Sequence, residues 1–438
     1  MIYKLSLFTL ILLTFLSCGS ESKSKTLPNS SVLVTCKEEN TLHKLYAQES
    51  IKIEAQNNLK LLISHKPTTF EKTDFNKFFL YNLFKTEYFW AGETVNTINV
   101  NNYDNPQSLI DAIKYKDDRW SFAVTPKVYN EFSSQKSVGI GFSCQDAENG
   151  CIITSVRIDS PADKIDLRRG DIIQKINNQR ATRAIIYAKG QEKEELEFEL
   201  LRPNSHETCL GKVTPQEYTY RVVASRVVTT PKNETVGYLR LDSFLGDKIL
   251  GQLNVAFNNF KKESIQKLVI DLRYNGGGSV DLASKLLDKL VVNREGQTQF
   301  TLAWNKSYQH KNQPYFFENT SNALDLKQIL FLTTQNSASA SELIISAMKP
   351  YLPEEDIVII GDKTHGKPVG MSPQNDNHYY YFLINFVVKN SLGFYDYFEG
   401  LPVTSGCQVT DDPFHELGDI NEAMLKSALK YIDEGSCQ

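Results

Sequence analysis

Three short segments in the second half of the chain combine residue types that could carry out nucleophilic chemistry. The first, Asn336–Glu342, is rich in serine and follows the apolar run Ile329–Leu332. A serine at the start of a helix lies near unpaired backbone N–H groups and the positive end of the helix dipole. Such a serine could attack a carbonyl carbon while neighbouring amides hold the oxyanion. Taken alone, this segment is also what an ordinary serine-rich helix cap would look like.

The second segment offers a base for such a serine. Gly361–Lys367 follows the apolar run Ile357–Ile360, and a lysine in a glycine-bounded turn after a buried strand can point inward. Burial lowers the pKa of a lysine, and a neutral lysine can accept the proton of a serine hydroxyl. His365 lies in the same segment. Its neighbours do not support a serine–histidine–aspartate triad, so we interpret it as a wall residue.

The third segment, Asp271–Gly278, ends an apolar run in three consecutive glycines. Glycine frees the backbone to direct several N–H groups at one anion. Nucleotide binding is disfavoured because neither GxGxxG nor GxxxxGK[ST] occurs. The segment therefore predicts a loop that could hold an oxyanion.

The elements that position these segments follow from the pattern of apolar residues. From about residue 226 the chain alternates between predicted strands and helices, which indicates an α/β core with parallel strand pairing. We predict strands at 236–241, 268–272, 329–332, 357–360 and 379–388, and helices at 248–262, 280–290 and 339–348.

The rest of the chain divides into distinct parts, so the fold class is a multi-domain combination of α/β and β structure. Residues 71–135 are predicted to be helical and are rich in aromatic side chains, which we attribute to packing. The predicted organisation is a signal peptide at 1–17, a tether and N-terminal region at 18–70, a helical domain at 71–135, a β-rich module at 136–225 and the α/β core with its C-terminal segment at 226–438.

The first residues indicate the compartment. Lys4 precedes the apolar run Leu5–Leu16, which is too short to span a bilayer and is typical of a secretory signal peptide. The sequence Leu16-Ser17-Cys18-Gly19 resembles a bacterial lipobox, which implies cleavage before Cys18 and lipidation of its thiol. The expected location is the bacterial cell envelope, with the chain anchored through lipid and facing the periplasm or the cell surface.

Charge and cysteine content exclude some function classes. The 438 residues carry a formal net charge of −4, so there is no basic footprint for nucleic acid. Apart from Cys18, six cysteines remain, which allow 15 pairings in an oxidising compartment. Cys144 could bridge Cys151 locally, Cys407 could bridge Cys437, and Cys36 and Cys209 would then remain. Neither a CxxC nor an HxxxH spacing is present, and we expect no metal and no cofactor.

Together the three segments resemble the C-terminal processing (tail-specific) protease family. Its signatures are D-L-R-x-N-x-G-G, S-A-S-E and G-x-x-T-x-G-K, and they match Asp271–Gly278, Ser339–Glu342 and Gly361–Lys367 in the same order. The resemblance implies a serine endopeptidase with Ser339 as nucleophile and Lys367 as general base. It also implies that the N–H groups of Ala340 and of one glycine in the loop, of which we choose Gly277, hold the oxyanion.

One position departs from the family pattern. Many relatives have a glutamine four residues after the lysine, where this chain has Met371. A thioether is a poor hydrogen-bond acceptor, so methionine cannot orient the lysine as an amide would. The alternative function is therefore a catalytically weak binding or scaffold protein of the envelope.

The β-rich module resembles a PDZ domain. Val138-Gly139-Ile140-Gly141-Phe142 is similar to the loop with which such domains bind a peptide carboxylate. The resemblance implies that the module captures unfolded or tail-exposed proteins by an apolar C-terminus. The sequence leaves the oligomeric state open.

Overall fold

A computed structural model describes residues 72–133, 136–203 and 207–438. The predicted signal peptide, the lipidation site Cys18 and the tether lie outside the described residues. Among the helices within these ranges, none has the length and apolar character needed to cross a membrane.

Helices dominate the first described region. Its elements are α1 (Lys72–Thr86), two short 3₁₀ turns (Ala91–Glu93 and Val100–Asn102), α2 (Pro106–Ile113), β1 (Phe122–Val124) and α3 (Pro126–Ser133). The start of α2 is specified locally, because Asn105 and Ser108 form a reciprocal capping box and Pro106 follows the cap. The apolar side chains of this region pack against Tyr381 and Ile384, so the region shares its core with the last part of the chain.

A β-rich module follows. Its strands are β2 (Lys136–Gly139), β3 (Phe142–Ala147), β4 (Gly150–Val156), β5 (Ile172–Ile176), β6 (Gln179–Arg180), β7 (Leu196–Arg202), β8 (Glu207–Val213) and β9 (Gln216–Thr219), and its helices are α4 (Pro161–Lys164) and α5 (Arg183–Gly190). The main sheet has the order β3-β4-β5-β7-β8, and β2 pairs with β9. Strand β3 therefore lies at one edge of the sheet, with α5 in contact with it.

The last part contains the α/β core that the sequence predicts. It consists of β10 (Val223–Thr229), β11 (Thr235–Leu241), α6 (Ile249–Lys262), β12 (Lys267–Asp271), α7 (Val280–Leu290), β13 (Thr298–Trp304), a 3₁₀ segment (Lys306–Lys311), β14 (Gln313–Phe316), β15 (Gln328–Thr333), α8 (Ala340–Met348), a 3₁₀ turn (Glu354–Asp356), β16 (Ile357–Gly361), β17 (Val369–Met371), β18 (Gln374–Asn375), β19 (Tyr380–Phe382), β20 (Ile384–Asn390) and α9 (Ala423–Glu434).

The central sheet of this core has the order β10-β11-β12-β15-β16. Strands β11, β12, β15 and β16 run parallel, as predicted, and β10 is antiparallel to β11. Helices α6, α7 and α8 cover one face of the sheet, and α9 covers the other. The three segments singled out from the sequence follow β12, β15 and β16, so they meet where the carboxyl ends of neighbouring parallel strands lie side by side.

Two predicted boundaries differ from the structure. The predicted strand at 379–388 is divided at Leu383, because β19 pairs with β1 and β18 whereas β20 pairs with β13 and β17. The core also begins before residue 226, since β10 starts at Val223 and pairs with β11 over its whole length.

The structure contains two disulfide bonds, Cys144–Cys151 and Cys407–Cys437. The second lies beside the strand that leads to the lysine segment. The Gly361 N–H donates to Cys407 O at 3.0 Å, and the Val409 N–H donates to Gly361 O at 3.0 Å. The hydrogen bonds join the Cys407 region to the end of β16, and the disulfide in turn joins Cys437, at the end of the chain, to Cys407.

Removal of this disulfide by the double substitution Cys407→Ser and Cys437→Ser should destabilise the core. The cysteines are 30 residues apart, and a loop of that length contributes about 3–4 kcal/mol through the entropy of the unfolded chain. We expect calorimetry to show a lower unfolding temperature for the core. The matched control replaces Cys144 and Cys151, which are only 7 residues apart and should cost about 2–3 kcal/mol. A larger loss in that control would contradict the prediction.

Candidate active site

Ser339 lies in the turn between β15 and α8, with an unusual backbone conformation. Its φ is 57° and its ψ is −113°, and it caps the N-terminus of α8. Residues other than glycine rarely adopt positive φ, and such strain persists where the surroundings enforce it. Here the Ala338 N–H donates to Asn275 O at 3.1 Å and the Ser339 N–H donates to Glu342 Oε2 at 2.8 Å. The turn is thus fixed on both sides of the serine.

The structure separates Ser339 from the two other serines of its segment. Ser337 and Ser341 are fully buried. The Ser337 hydroxyl donates to Leu272 O at 2.8 Å, and the Ser341 hydroxyl donates to Asn275 O at 2.9 Å. Both bind the serine turn to the glycine loop, whereas Ser339 is partly exposed. Of these three serines, Ser339 is the one a substrate could reach.

The glycine loop packs directly against the serine turn at Gly277. Its φ is +99°, and a Cβ there would lie 2.7 Å from Ala338 O, 2.8 Å from Ser339 Cβ and 3.0 Å from Ala340 N. These distances are too short for any side chain. Glycine is therefore required at this position by both backbone conformation and space.

The hydrogen bonds of this loop bear on the predicted oxyanion donors. As the first residue of α8, Ala340 has an N–H without an intrahelical acceptor, as the prediction requires. The Gly277 N–H, in contrast, donates to Asn275 Oδ1 at 2.8 Å and so is not open to an anion in this conformation. Among the described residues, the N–H groups of the exposed Gly276 and Gly278 have no acceptor, and they fit the role better.

A buried carboxylate joins the serine turn to the lysine segment. Glu342 is fully buried, and its Oε2 accepts hydrogen bonds from the N–H groups of Ser339 and Lys367, both at 2.8 Å. Its Oε1 accepts from the Gly366 N–H at 2.7 Å and from the Thr364 hydroxyl at 2.5 Å. The backbone nitrogens of Ser339 and Lys367 are therefore no further apart than twice 2.8 Å.

Sequence reasoning included Glu342 in a motif but gave it no role. The available signal was its position three residues after the helix cap, where a glutamate can accept from the cap N–H. Burial raises the pKa of Glu342, and the hydrogen bonds that it accepts from Thr364, Lys367, Gly366 and Ser339 oppose this shift.

The Lys367 side chain has the properties of a base. Burial lowers its pKa to about 8, while the negative charges of Asp118 and Glu342 oppose the shift. The neutral form of this lysine is therefore more accessible near neutral pH than that of an exposed lysine. Within the described residues no hydrogen bond joins its Nζ to the Ser339 hydroxyl; the Nζ lies 3.9 Å from Met371 Sδ instead. The side chain must rotate towards Ser339 before a proton can pass.

Gln374 does not replace the missing glutamine in this conformation. Its side chain is buried, and neither its Oε1 nor its Nε2 has a hydrogen-bond partner among the described residues. In particular, it does not contact Lys367 through a hydrogen bond.

The N-terminal region completes the walls around the lysine segment. Asp118 is buried and accepts from the Tyr88 hydroxyl at 2.7 Å and from the Trp120 N–H at 2.9 Å. Arg119 Nη2 donates to Phe398 O at 2.8 Å, and Trp120 Nε1 donates to His365 Nε2 at 3.3 Å. Sequence reasoning placed 118–122 only within the helical region 71–135, because nothing in its own sequence shows which distant loop it meets.

The contacts of His365 agree with its interpretation as a wall residue. Burial lowers its pKa, so the ring is neutral at neutral pH and can accept from Trp120. Its Nδ1 lies 3.3 Å from Gln335 O, and the described structure has no hydrogen bond between His365 and Ser339.

The predicted peptide-binding loop, Val138–Phe142, spans the end of β2 and the start of the edge strand β3. Two of its carbonyl groups bond within the module, because the Ala162 N–H donates to Ile140 O and the Arg157 N–H donates to Gly141 O, both at 3.0 Å. A Cβ at Gly141, where φ is +99°, would lie 2.4 Å from Ser160 Cβ. Glycine is therefore required for this close turn at the start of β3.

Comparison with protein families matches three parts of this arrangement. The chain matches the peptidase S41 N-terminal domain over residues 76–122, the PDZ domain over residues 130–185 and peptidase family S41 over residues 235–382. Over these residues the chain is similar to peptidase family S41. The family resemblance and the fold class inferred from the sequence are thereby confirmed, and the S41 match contains Ser339, Glu342 and Lys367.

Similar proteins include two from staphylococci, each described as a "Probable CtpA-like serine protease". The protein of Staphylococcus epidermidis RP62A is 28% identical over 333 residues, which cover 70% of this chain and 61% of that protein. The protein of Staphylococcus saprophyticus is 28% identical over 265 residues, or 59% of this chain and 51% of that protein. The chain thus spans about three fifths or less of the length of these relatives.

A solved structure supports the fold. The crystal structure of a Bacteroides fragilis protein named as an S41 protease superposes with a TM-score of 0.71, covering 85% of this chain and 100% of that one at 21% sequence identity. The S41 fold is therefore retained where sequence similarity is low.

The substitution Glu342→Gln should test how strongly the buried carboxylate holds the site together. An amide replaces one acceptor oxygen with a donor, so two of the four donors lose their partner. We expect the free energy of unfolding to fall by about 3 kcal/mol, since hydrogen bonds to buried charged groups contribute about 1.5–3 kcal/mol each. Denaturant unfolding measures this loss. The control Glu355→Gln alters an exposed carboxylate and should have little effect; equal losses in both variants would contradict the role of Glu342.

Proposed function

We propose that this protein is a serine endopeptidase in which Ser339 is the nucleophile and Lys367 the general base. The observation that supports this best is the shared acceptor Glu342 Oε2, which holds the backbone of both residues within one small volume. Ser339 is partly exposed at a helix N-terminus, and burial lowers the pKa of Lys367 to about 8. These are the properties that an activated serine and its base require.

The reaction would proceed in two stages. Neutral Lys367 takes the proton from the Ser339 hydroxyl as Oγ attacks the carbonyl carbon of the scissile bond. The resulting oxyanion accepts hydrogen bonds from the Ala340 N–H and from an open N–H of the glycine loop. Protonated Lys367 then delivers its proton to the leaving amine. In the second stage, water attacks the acyl carbon while Lys367 accepts a proton from the water. Lys367 then passes this proton to the Ser339 oxygen as the acyl group leaves, which restores the serine hydroxyl and the neutral amine.

The substrate class follows from the PDZ module. Strand β3 is the last strand of its sheet and lies beside α5, so an extended peptide could add to β3 as a further strand. The loop Val138–Phe142 lies at the start of that edge. We therefore propose that unfolded or tail-exposed proteins with apolar C-termini are captured there and cleaved at Ser339.

The proposed location is the bacterial cell envelope. Residues 1–17 have the character of a signal peptide, and Cys18 is in a position to receive lipid, which would hold the chain at the membrane on the periplasmic or outer side. The disulfides Cys144–Cys151 and Cys407–Cys437 are in keeping with an oxidising compartment.

A scaffold without substantial activity is the second candidate. The contact between Lys367 Nζ and Met371 Sδ favours the scaffold, because in this conformation the amine contacts the sulfur and has no hydrogen bond to Ser339 among the described residues. In this case the PDZ module would bind C-terminal tails and the protease core would not cleave them.

The substitution Ser339→Ala should abolish cleavage without loss of the fold. The assay uses the chain without residues 1–18 and an unfolded protein with an apolar C-terminus, and gel electrophoresis follows the loss of substrate. The matched control is Ser391→Ala, which alters an exposed serine in the loop after β20 and should retain full activity. Cleavage by Ser339→Ala at the normal rate would exclude the proposed nucleophile. Binding of tail peptides with no cleavage by any variant would support the scaffold.

The pH dependence of cleavage should report the protonation state of Lys367. The neutral form of Lys367 is the active form, and it accumulates as pH rises through its lowered pKa. We therefore expect kcat/KM to rise through a midpoint near pH 8 and to level off above it. The variant Lys367→Arg should be inactive over the same range, because a guanidinium remains protonated. A rate that is independent of pH between 6 and 10 would count against Lys367 as the base.

A further inference from the structure

The turn 118–121 of the N-terminal region contacts the lysine segment directly. Arg119 Nη2 donates to Gly366 O at 3.4 Å, and Trp120 Nε1 donates to His365 Nε2 at 3.3 Å. Gly366 and His365 are the two residues that precede the lysine in the chain. The turn therefore helps to hold the backbone from which the lysine side chain extends.

The same turn is also joined to the strands beside the lysine amine. The Ile384 N–H, at the start of β20, donates to the Ser121 hydroxyl at 3.1 Å. Ile384 pairs with Met371 of β17, and Met371 Sδ lies 3.9 Å from Lys367 Nζ. The lysine side chain thus extends from a backbone that contacts this turn to a sulfur whose strand partner is bonded to the turn as well.

Two buried carboxylates lie around the Lys367 amine, and they differ in the hydrogen-bonding capacity that they have left. A carboxylate oxygen can accept about two hydrogen bonds. Each oxygen of Glu342 already accepts two. Asp118 is 2% exposed, and its Oδ1 accepts from two backbone N–H groups of its own turn, both at 2.9 Å. Among the described residues its Oδ2 accepts only from the Tyr88 hydroxyl, so this oxygen can still compensate a further positive charge.

We propose that Asp118 is a positioning residue for Lys367, and that its carboxylate stabilises the ammonium group that forms when the lysine takes the proton of Ser339. The proposal rests on the proposed function of Lys367 as the base. Asp118 takes no part in the bonds that form or break. It supplies the fixed negative charge that balances the proton on Nζ, which the thioether of Met371 accepts too weakly to do.

The groups around the amine determine the direction of the effect. The negative charges of Asp118 and Glu342 raise the pKa of Lys367, burial lowers it, and His365 is neutral. Arg119 adds a positive charge on the same turn as Asp118. Removal of the Asp118 charge should therefore lower the pKa of Lys367, which makes more of the lysine neutral but also makes it a weaker base.

The first measurement uses the variant Asp118→Asn and does not depend on peptidase activity. The amide oxygen can still accept from the two backbone N–H groups, and the Tyr88 hydroxyl can accept from the amide NH₂, so the turn should remain folded. Mass spectrometry measures the reactivity of the Lys367 amine with acetic anhydride against pH. We expect its midpoint to fall by about one pH unit from near pH 8, as for the loss of one nearby charge. The matched control Asp117→Asn alters the adjacent, exposed carboxylate and should leave the midpoint unchanged.

The second measurement is the pH profile of kcat/KM for the same variants. With its pKa lowered by one unit, Lys367 is about fivefold more neutral at pH 7, and this gain offsets its weaker basicity. We therefore expect Asp118→Asn to cleave within about twofold of the unmutated rate at pH 7 but about three- to tenfold more slowly at pH 10. A purely structural role of Asp118 would lower the rate by the same factor at both values of pH.

The variant Tyr88→Phe gives a second test that leaves the charge of Asp118 in place. It removes the hydrogen bond to Asp118 Oδ2, so the carboxylate becomes more available to the ammonium group. We expect the labelling midpoint of Lys367 to move upward by a few tenths of a pH unit, opposite in sign to the effect of Asp118→Asn. A downward shift would contradict the proposal, and this test stands even if Asp118→Asn fails to fold.

The outcomes separate this proposal from the proposed function. A lowered labelling midpoint in Asp118→Asn, with no cleavage by any form of the chain, would support the coupling of Asp118 to Lys367 and exclude the peptidase. An unshifted midpoint in a folded Asp118→Asn variant would overturn the proposal even if the unmutated chain cleaves. An equal shift in Asp117→Asn, or an equal loss of rate at pH 7 and pH 10, would overturn it as well.

Discussion

The site depends on one buried carboxylate with four hydrogen-bond donors. Glu342 lies on α8, yet three of its donors belong to the segment after β16. An isolated buried carboxylate would be strongly disfavoured, and here each oxygen accepts two hydrogen bonds. The two segments consequently cannot separate without leaving the Glu342 carboxylate either exposed to water or short of hydrogen-bond donors. The serine and the lysine need no direct bond to each other in order to remain neighbours.

A second polar network joins the glycine loop and the PDZ module through the same residue, Asp411. Arg273, next to that loop, is fully buried and pairs with Asp271, Glu422 and Asp411. Arg169 of the PDZ module bonds to the same Asp411 at 2.6 Å. A buried ion cluster of this kind contributes little net stability but is costly to break, because each lost partner leaves a charge without compensation. It therefore fixes the position of the PDZ module relative to the glycine loop.

The sequence predicts the parts of this structure that depend on local pattern. The apolar runs 329–332 and 357–360 are long enough and sufficiently β-branched to identify buried strands, and the small residues after them identify the turns. The role of Ser339 can also be proposed from its place at a helix start. The choice among Ser337, Ser339 and Ser341 cannot be made on spacing alone. It depends on which hydroxyl groups donate hydrogen bonds to Leu272 O and Asn275 O in a distant loop.

The parts that the sequence does not predict all depend on contacts between segments far apart in the chain. Asp118 and Trp120 reach the lysine segment only because the N-terminal helices pack on β19 and β20, and no local pattern in 118–122 encodes that contact. The hydrogen bonds within the glycine loop could not be predicted from the sequence either. Its glycines identify it as an anion loop, but the Asn275 side chain takes the N–H of Gly277 and leaves those of Gly276 and Gly278 open. Residue type therefore specifies what a segment can do, and its partners across the fold determine which atom is free to do it.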